Sequence, residues 1–97
     1  MITALLELRL KPEAVSGSEG IIRAVLTQTR ARPGNLGLDV LVDRDDATHV
    51  TIVERWESIE ADTAYRAWRL TEEGKSDLGT ILAGKPVLTI CETSFSL

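Results

Sequence analysis

The segment over residues 30–58 constrains the fold more than any other, because its residue pattern is that of a β-hairpin. Two apolar runs have the two-residue period of strands with one buried face. They are Leu36, Leu38, Val40 and Val42, followed by Val50, Ile52, Val53 and Trp56. The polar residues 43–47 between them favour a turn, since aspartate tolerates turn dihedrals and hydrogen-bonds its own backbone. The segment therefore predicts two antiparallel strands.

Helices are predicted on both sides of this hairpin. Pro33 and Gly34 predict the end of a helix near Ala31, since proline cannot continue a helix and glycine permits a left-handed residue. Ser16 and Glu19 match a capping box, which predicts that this first helix begins there. Ser58 is a favourable N-cap residue for a second helix after the hairpin.

Two further strands complete the predicted fold. Residues 2–10 alternate in polarity like a strand, and residues 87–95 follow Pro86 as a last strand, after a short helix over residues 76–83. The order β-α-β-β-α-β is the ferredoxin-like pattern of an α+β domain. We therefore predict a single domain over residues 1–97, with both helices on one face of a four-stranded antiparallel sheet.

Composition limits the classes of partner. A formal net charge of −4 argues against nucleic acids and anionic membranes, which require a basic surface patch. No apolar run approaches the roughly 20 residues of a membrane-spanning helix. Glu7 and Arg9 interrupt the first apolar segment, which a signal-peptide core would not allow, so a cytoplasmic location is expected. One histidine, His49, and one cysteine, Cys91, on different strands predict no metal site.

One face of the predicted sheet has no helix to cover it. Leu5, Leu41 and Val53 lie on this face, together with Arg55 and other polar residues. A partly apolar, uncovered sheet face is usually an interface. The simplest solution is a two-fold homodimer in which the same face of each copy covers the other.

The segments ELRLKPE, TRARPGNLG and VDRDDATHVTIVERWESIEA resemble the antibiotic biosynthesis monooxygenase domain family of the dimeric α/β barrel superfamily. The resemblance extends over nearly the whole chain and implies a dimeric α/β barrel. The family includes cofactor-less oxygenases that convert phenolic polyketides to quinones, and haem-degrading enzymes. Because one fold serves several reactions, the resemblance implies the fold and the dimer more directly than the reaction.

Only some of the functional residues of those enzymes have a counterpart in this chain. Trp56 matches a pocket tryptophan of the polyketide oxygenases, whereas Ile52 and Asp62 stand where those enzymes have asparagine and tyrosine. The haem-degrading enzymes have an asparagine on the first strand, where Leu6 or Leu8 stands here. They also have a histidine iron ligand after the second helix, and in this chain that position falls near Lys75. We therefore expect no haem and no other cofactor.

The large aromatic residues predict a pocket for a small, flat aromatic molecule. Trp56 and the helical pair Tyr65 and Trp68 face one space between sheet and helices, with Ile52 and Leu6 as further predicted lining residues. The Tyr65 hydroxyl would orient the substrate or pass a proton. The alternative is core packing, because aromatic residues at helical spacing usually belong to the core.

Glu54 is the candidate catalytic base. It shares its sheet face with Ile52 and Trp56, which places a carboxylate on the helix-covered side. A carboxylate in such a position is a candidate base toward a phenol or enol. The alternative is a structural ion pair with an arginine such as Arg66 or Arg69, and those arginines are otherwise predicted on a solvated helix face.

Two functions are consistent with these residues. The first is a cofactor-less monooxygenase that binds a phenolic or quinol-like substrate and lets its carbanion react directly with O₂, with Glu54 and Tyr65 as catalytic residues. The second is a non-catalytic binding or regulatory module that uses the same dimer. The chain lacks the asparagine and the histidines of the enzymes that it resembles, and this favours the second function.

Overall fold

The computed structural model describes all 97 residues and contains four strands, two α-helices and two short 3-10 helices. The main elements are β1 (Ile2–Arg9), α1 (Ser18–Arg30), β2 (Asn35–Asp43), β3 (Asp46–Trp56), α2 (Ile59–Arg69) and β4 (Val87–Glu92). The 3-10 helices are Pro12–Gly17 and Leu78–Ile81. This order confirms the predicted β-α-β-β-α-β pattern.

The four strands form one antiparallel sheet in the order β2-β3-β1-β4. Leu5 of β1 pairs with Val53 of β3, and Ala4 pairs with Glu54, so these two rows point to opposite faces. A register shift between Asn35 and Gly37 interrupts the pairing of β2 with β3. The edges of the sheet are β2 and β4.

The helices cover one face of the sheet and bury two apolar clusters there. The cluster under α1 contains Leu8, Leu10, Ile22, Val50, Ile52 and Ile81, and the cluster under α2 contains Ile2, Ala4, Trp56 and Tyr65. Burying each large apolar side chain stabilises the fold by about 1.5–3 kcal/mol. The strand residues in both clusters lie on the sheet face that the sequence predicted to be covered by the helices.

Three of the predicted boundaries are wrong. Ser16 does not cap α1, because Pro12 sits at the start of a 3-10 helix that already includes Ser16. The regular helix begins at Ser18, whose hydroxyl donates instead to the Val15 carbonyl at 2.8 Å. The predicted helix over residues 76–83 is a single 3-10 turn, and β4 ends at Glu92 rather than near residue 95.

The second helix begins as predicted. The Ser58 hydroxyl accepts a hydrogen bond from the Ala61 amide at 3.1 Å, which satisfies one free donor of the first turn. None of the helices is both long enough and apolar enough to cross a lipid bilayer.

Candidate functional site

The structure brings the three predicted aromatic residues together in direct contact. The ring centroids of Trp56 and Tyr65 are 4.9 Å apart, and those of Tyr65 and Trp68 are 6.3 Å apart. Trp56 is 0% exposed and Tyr65 is 5% exposed. Rings at these separations pack against each other and enclose no space for a ligand ring between them. Of the other predicted pocket residues, Ile52 is buried and Leu6 half-buried in the cluster under α1.

The Tyr65 hydroxyl belongs to a network that joins the two helices. It lies 2.8 Å from Thr29 Oγ1 of α1 and accepts a hydrogen bond from Arg69 Nε at 2.7 Å. Arg69 Nη2 also donates to the Val25 carbonyl at 2.9 Å and to Thr29 Oγ1 at 2.9 Å. The hydroxyl therefore ties α2 to α1.

Glu54 lies at the centre of a buried charged cluster. Its side chain is 1% exposed and accepts a hydrogen bond from Arg66 Nη2 at 2.5 Å and another from Trp56 Nε1 at 3.2 Å. Arg66 Nη2 also donates to Asp62 Oδ1 at 2.9 Å. The structure thus shows the ion pair that the sequence offered as the alternative to a catalytic base.

The Arg66 guanidinium stays charged in this cluster. Burial is the largest single influence on the pKa of Arg66 and acts to lower it. The charges and hydrogen bonds of Glu54 and Asp62 together outweigh burial and raise that pKa above its ordinary value. Arg66 therefore serves as the permanent counter-ion of two buried carboxylates.

The prediction that Arg66 and Arg69 occupy a solvated helix face is wrong, because both side chains turn inward. In α2 the buried residues are Asp62 and Tyr65, whereas Ala64 is exposed. The sequence carried a usable signal for this arrangement. A carboxylate at Glu54 on a covered sheet face requires a buried cation, and Arg66 stands one helical turn after a second acid.

The main cavity lies elsewhere, between α1 and the edge strand β2. It is an open groove of about 1240 Å³. Its walls are mainly apolar and include Ile22, Leu26, Leu38, Val40, Val42 and Val50. Val40 and Val42 point toward the helix side but remain 47% and 59% exposed. We call this cavity the α1–β2 groove.

The α1–β2 groove forms because α1 leaves part of β2 uncovered. Ile22 of α1 packs on Leu8, Val50 and Ile52 of the central strands, whereas Val40 and Val42 on the same face of β2 stay exposed. None of the predicted pocket residues lines the groove, whereas Arg55, predicted at the dimer interface, does. The groove could not be predicted from the sequence, since alternation alone does not show which strand lies at an edge.

Arginines stand around the rim of the α1–β2 groove. Arg23 Nε pairs with Glu19 at 2.7 Å, and Arg55 Nη1 pairs with Asp39 at 2.9 Å. Arg30, at the end of α1, makes no ion pair with a carboxylate. The rim therefore contains one guanidinium without a counter-ion from this chain.

The opposite sheet face carries the predicted interface residues. Leu5 and Val53 lie side by side there and are half-buried, and Leu41 is 53% exposed. No helix of the chain covers this face, which we call the outer face. Cross-strand ion pairs surround the apolar residues, including Arg9 with Asp46 at 2.7 Å. The mixture of leucine, valine and paired charges suits a surface that another polypeptide covers.

His49 lies between two carboxylates on the outer face. Its Nδ1 is 3.1 Å from Asp43 Oδ2, and its Nε2 is 3.2 Å from Glu7 Oε1. The hydrogen bond with Asp43, followed by that with Glu7, raises the pKa of His49 above its ordinary value, against the opposing effects of lost solvation and of the Arg9 charge. No group of three His, Cys, Asp or Glu side chains is placed to bind a metal ion.

Stability is expected to depend on pH through His49. Because its folded-state pKa lies above 6.5, the protonated ring stabilises the fold fully below pH 6.5, and this contribution is lost as pH rises through the folded-state pKa. The difference in Tm between the wild-type protein and His49→Gln should thus be largest near about pH 6 and shrink toward about pH 9. Thermal unfolding followed by circular dichroism measures it. A difference independent of pH would contradict the assignment.

Comparisons with known proteins show the family through a family model and the fold through solved structures. The model of the antibiotic biosynthesis monooxygenase family matches residues 1–75. A variant of SnoaB, a cofactor-independent oxygenase from Streptomyces nogalater, superposes with a TM-score of 0.83 at 14% identity, over 99% of this chain and 95% of that chain. A comparison with curated proteins finds no significant match.

Two further solved structures are similar over more than nine tenths of their length. An antibiotic biosynthesis monooxygenase superposes with a TM-score of 0.79 at 21% identity, over 96% of this chain and 98% of that chain. A conserved protein from Methanosarcina mazei has a TM-score of 0.79 at 18% identity, over 96% of this chain and 92% of that chain. At such identities the likeness shows the fold.

Proposed function

Because the chain belongs to the antibiotic biosynthesis monooxygenase family, we propose that it is a small oxygenase acting on a phenolic or quinol-like aromatic compound without a resident cofactor. The α1–β2 groove carries this proposal, since it offers an apolar wall long and open enough for a flat molecule. The likeness to a protein described as a cofactor-independent oxygenase supports the same chemistry.

The proposed reaction needs only the substrate and O₂. A ring CH₂ activated by a neighbouring carbonyl loses a proton to give a carbanion, and the carbanion bonds to one oxygen atom of O₂. After protonation the product is a hydroperoxide, which loses water to leave a C=O group. One oxygen atom remains in the quinone and the other leaves in water. The Arg30 guanidinium, the one at the groove rim without a carboxylate partner, would stabilise the anionic form of the substrate.

Proton transfer by Glu54 or Tyr65 is a separate part of the proposal. Both polar groups are hydrogen-bonded within the core and neither lines the α1–β2 groove, so they would reach a substrate only if α2 moved away from the sheet. Glu54→Gln and Tyr65→Phe test their roles. Loss of turnover in folded variants supports catalysis, and unchanged turnover shows that both residues are structural.

Oxygen consumption with a panel of anthrones and hydroquinones tests the proposed reaction. Turnover above the rate in buffer is expected, and Val40→Trp should lower it by placing an indole ring across the apolar wall of the groove. Leu88→Trp makes a similar change at the opposite edge of the same sheet face and should leave turnover unchanged. A folded protein that shows no turnover with any member of the panel would refute the oxygenase.

A second candidate is a binding or regulatory module without chemistry. The contact between Trp56, Tyr65 and Trp68 favours it, because it closes the pocket that the sequence predicted for catalysis. This function requires ligand binding in the α1–β2 groove without oxygen consumption. Calorimetric binding of the same compounds in the absence of turnover would identify it.

We also propose that the outer face forms a two-fold homodimer. Leu5, Leu41 and Val53 share this face, and full burial of such a side chain stabilises a complex by about 2–3 kcal/mol. Association costs roughly 4–15 kcal/mol, so several residues from each copy are needed. The pair Arg55–Asp39, 2.9 Å apart on the same face, would contribute more to specificity than to affinity.

Replacing Val53 by Asp should prevent this association. The substitution places a carboxylate beside Leu5 in the proposed interface, where it would lose solvation without gaining a partner. Light scattering is expected to show a dimer for the wild-type protein and a monomer, or unfolded protein, for the variant. Val42→Asp, on the other face, is the matched control and should remain dimeric. A wild-type chain that is monomeric at tens of micromolar would refute the dimer.

A further inference from the structure

Arg30 is the one rim arginine of the α1–β2 groove whose charge is not paired within the chain. The only hydrogen bond of its side chain runs from Nη1 to the Asn35 carbonyl at 2.8 Å. A guanidinium carries five N–H donors in a rigid planar fork, so most of its donors remain available. The bond to the Asn35 backbone fixes the position of the fork at the end of α1.

The other two rim arginines are less suited to bind a ligand. Arg55 is held by Asp39 and lies so close over Gly37 that a Cβ there would be 3.3 Å from Arg55 Nη2. Arg23 is bonded to Glu19, and the side chains of both are 77% exposed. An incoming anion would have to compete with a carboxylate at each of these arginines, but not at Arg30.

The groove has an apolar middle and a cationic end. It follows β2 from Gly37 to Val42, which at about 3.4 Å per residue is a length of about 17 Å. Arg30 and Ala31 lie at the Gly37 end, because β2 begins soon after α1 ends. A flat molecule lying along the groove would thus contact Val40 and Leu26 with its rings and place one end at the guanidinium.

We infer that the α1–β2 groove binds a flat, polycyclic molecule bearing a carboxylate, with the carboxylate on Arg30 and the rings on the apolar wall. This inference rests on the proposed function for the ligand's aromatic character and adds the acidic group to it. A carboxylate is the anion whose two oxygens match the guanidinium fork. The net charge of −4 disfavours the binding of anions over the protein surface as a whole. The positive charge of Arg30 therefore determines which end of the ligand lies at that end of the groove.

Calorimetric titration with anthraquinone-2-carboxylate and with its methyl ester tests the inference. The wild-type protein is expected to bind the acid about 10- to 100-fold more tightly than the ester, since a hydrogen-bonded charge pair is lost in the ester. Arg30→Gln should remove this preference, and Arg30→Lys should keep part of it because it keeps the charge without the fork. Arg23→Gln is the matched control and should bind both probes like the wild-type protein.

Equal binding of acid and ester by the folded wild-type protein would overturn the inference, as would an unchanged preference in Arg30→Gln. Unchanged binding of the acid by Val40→Trp would also overturn it, because the ligand would then lie outside the groove. The probe is already a quinone and is titrated without turnover. Its binding is therefore independent of oxygen consumption, and failure of the oxygenase proposal is distinguished from failure of this one.

Discussion

Replacing Arg66 by methionine is expected to lower the free energy of unfolding by about 3–5 kcal/mol, because it leaves two buried carboxylates without a counter-ion. Glu54 and Asp62 have side chains that are 1% and 4% exposed, and both accept hydrogen bonds from Arg66 Nη2. The effect should fall toward the lower end of this range, since the Arg66 side chain itself is 26% exposed. Urea unfolding followed by circular dichroism measures the change.

The pair Arg23–Glu19 supplies the matched control for this experiment. It has the same chemistry and a similar distance of 2.7 Å, but both side chains are 77% exposed. Arg23→Met should therefore change the free energy of unfolding by about 0.5 kcal/mol or less. If Arg66→Met were no more destabilising than Arg23→Met, the charged cluster would have to be hydrated in solution. The double variant Arg66→Met with Glu54→Gln should recover part of the loss, because it removes one of the buried charges.

Replacing Trp56 by alanine should also cost about 3–5 kcal/mol. Trp56 is 0% exposed, contacts the Tyr65 ring and donates to Glu54 from Nε1, so the variant loses both packing and a hydrogen bond. Natural domains of this kind have stabilities of about 5–15 kcal/mol, and such a loss removes a large fraction of that. The midpoint of urea unfolding should fall with little change in the m-value.

Trp56→Phe separates the two contributions. Phenylalanine keeps an aromatic ring beside Tyr65 but removes the donor that lies 3.2 Å from Glu54 Oε1. A loss of about 1.5–3 kcal/mol is expected, as for a hydrogen bond to a charged group. If alanine and phenylalanine were equally destabilising, the hydrogen bond rather than the packing would hold Trp56 in place. A cost below about 1 kcal/mol for alanine would show that the aromatic cluster is not a packed core.

The residues that stabilise the fold are separate from those of the proposed ligand site. The closed cluster of Trp56, Tyr65 and Trp68 supports α2 on the sheet, and the open α1–β2 groove is the proposed surface for a ligand. Substitutions in the groove, such as Val40→Trp, should therefore change binding with little change in stability. Substitutions in the cluster should change stability first.

The order of the elements along the chain and the covered face of the sheet could be predicted because they follow from local periodicity. Successive side chains of an extended backbone point to opposite faces of a sheet. Alternation in the sequence therefore showed that Ala4 and Ile52 lie on one face and that Leu5 and Val53 lie on the other. Ser58 as a helix cap needed only contacts within one turn. The start of α1 was harder, since Pro12 and Ser16 offered competing local signals and a 3-10 turn formed first.

The partners of buried polar groups were decided by tertiary structure. The sequence placed Glu54 on the covered face, but whether its neighbour would be a substrate or Arg66 depends on the rotation and height of α2 above the sheet. The α1–β2 groove is likewise invisible in the chain's periodicity. It arises because α1 lies over the central strands and leaves Val40 and Val42 uncovered at an edge, a packing outcome set by contacts between residues distant in sequence.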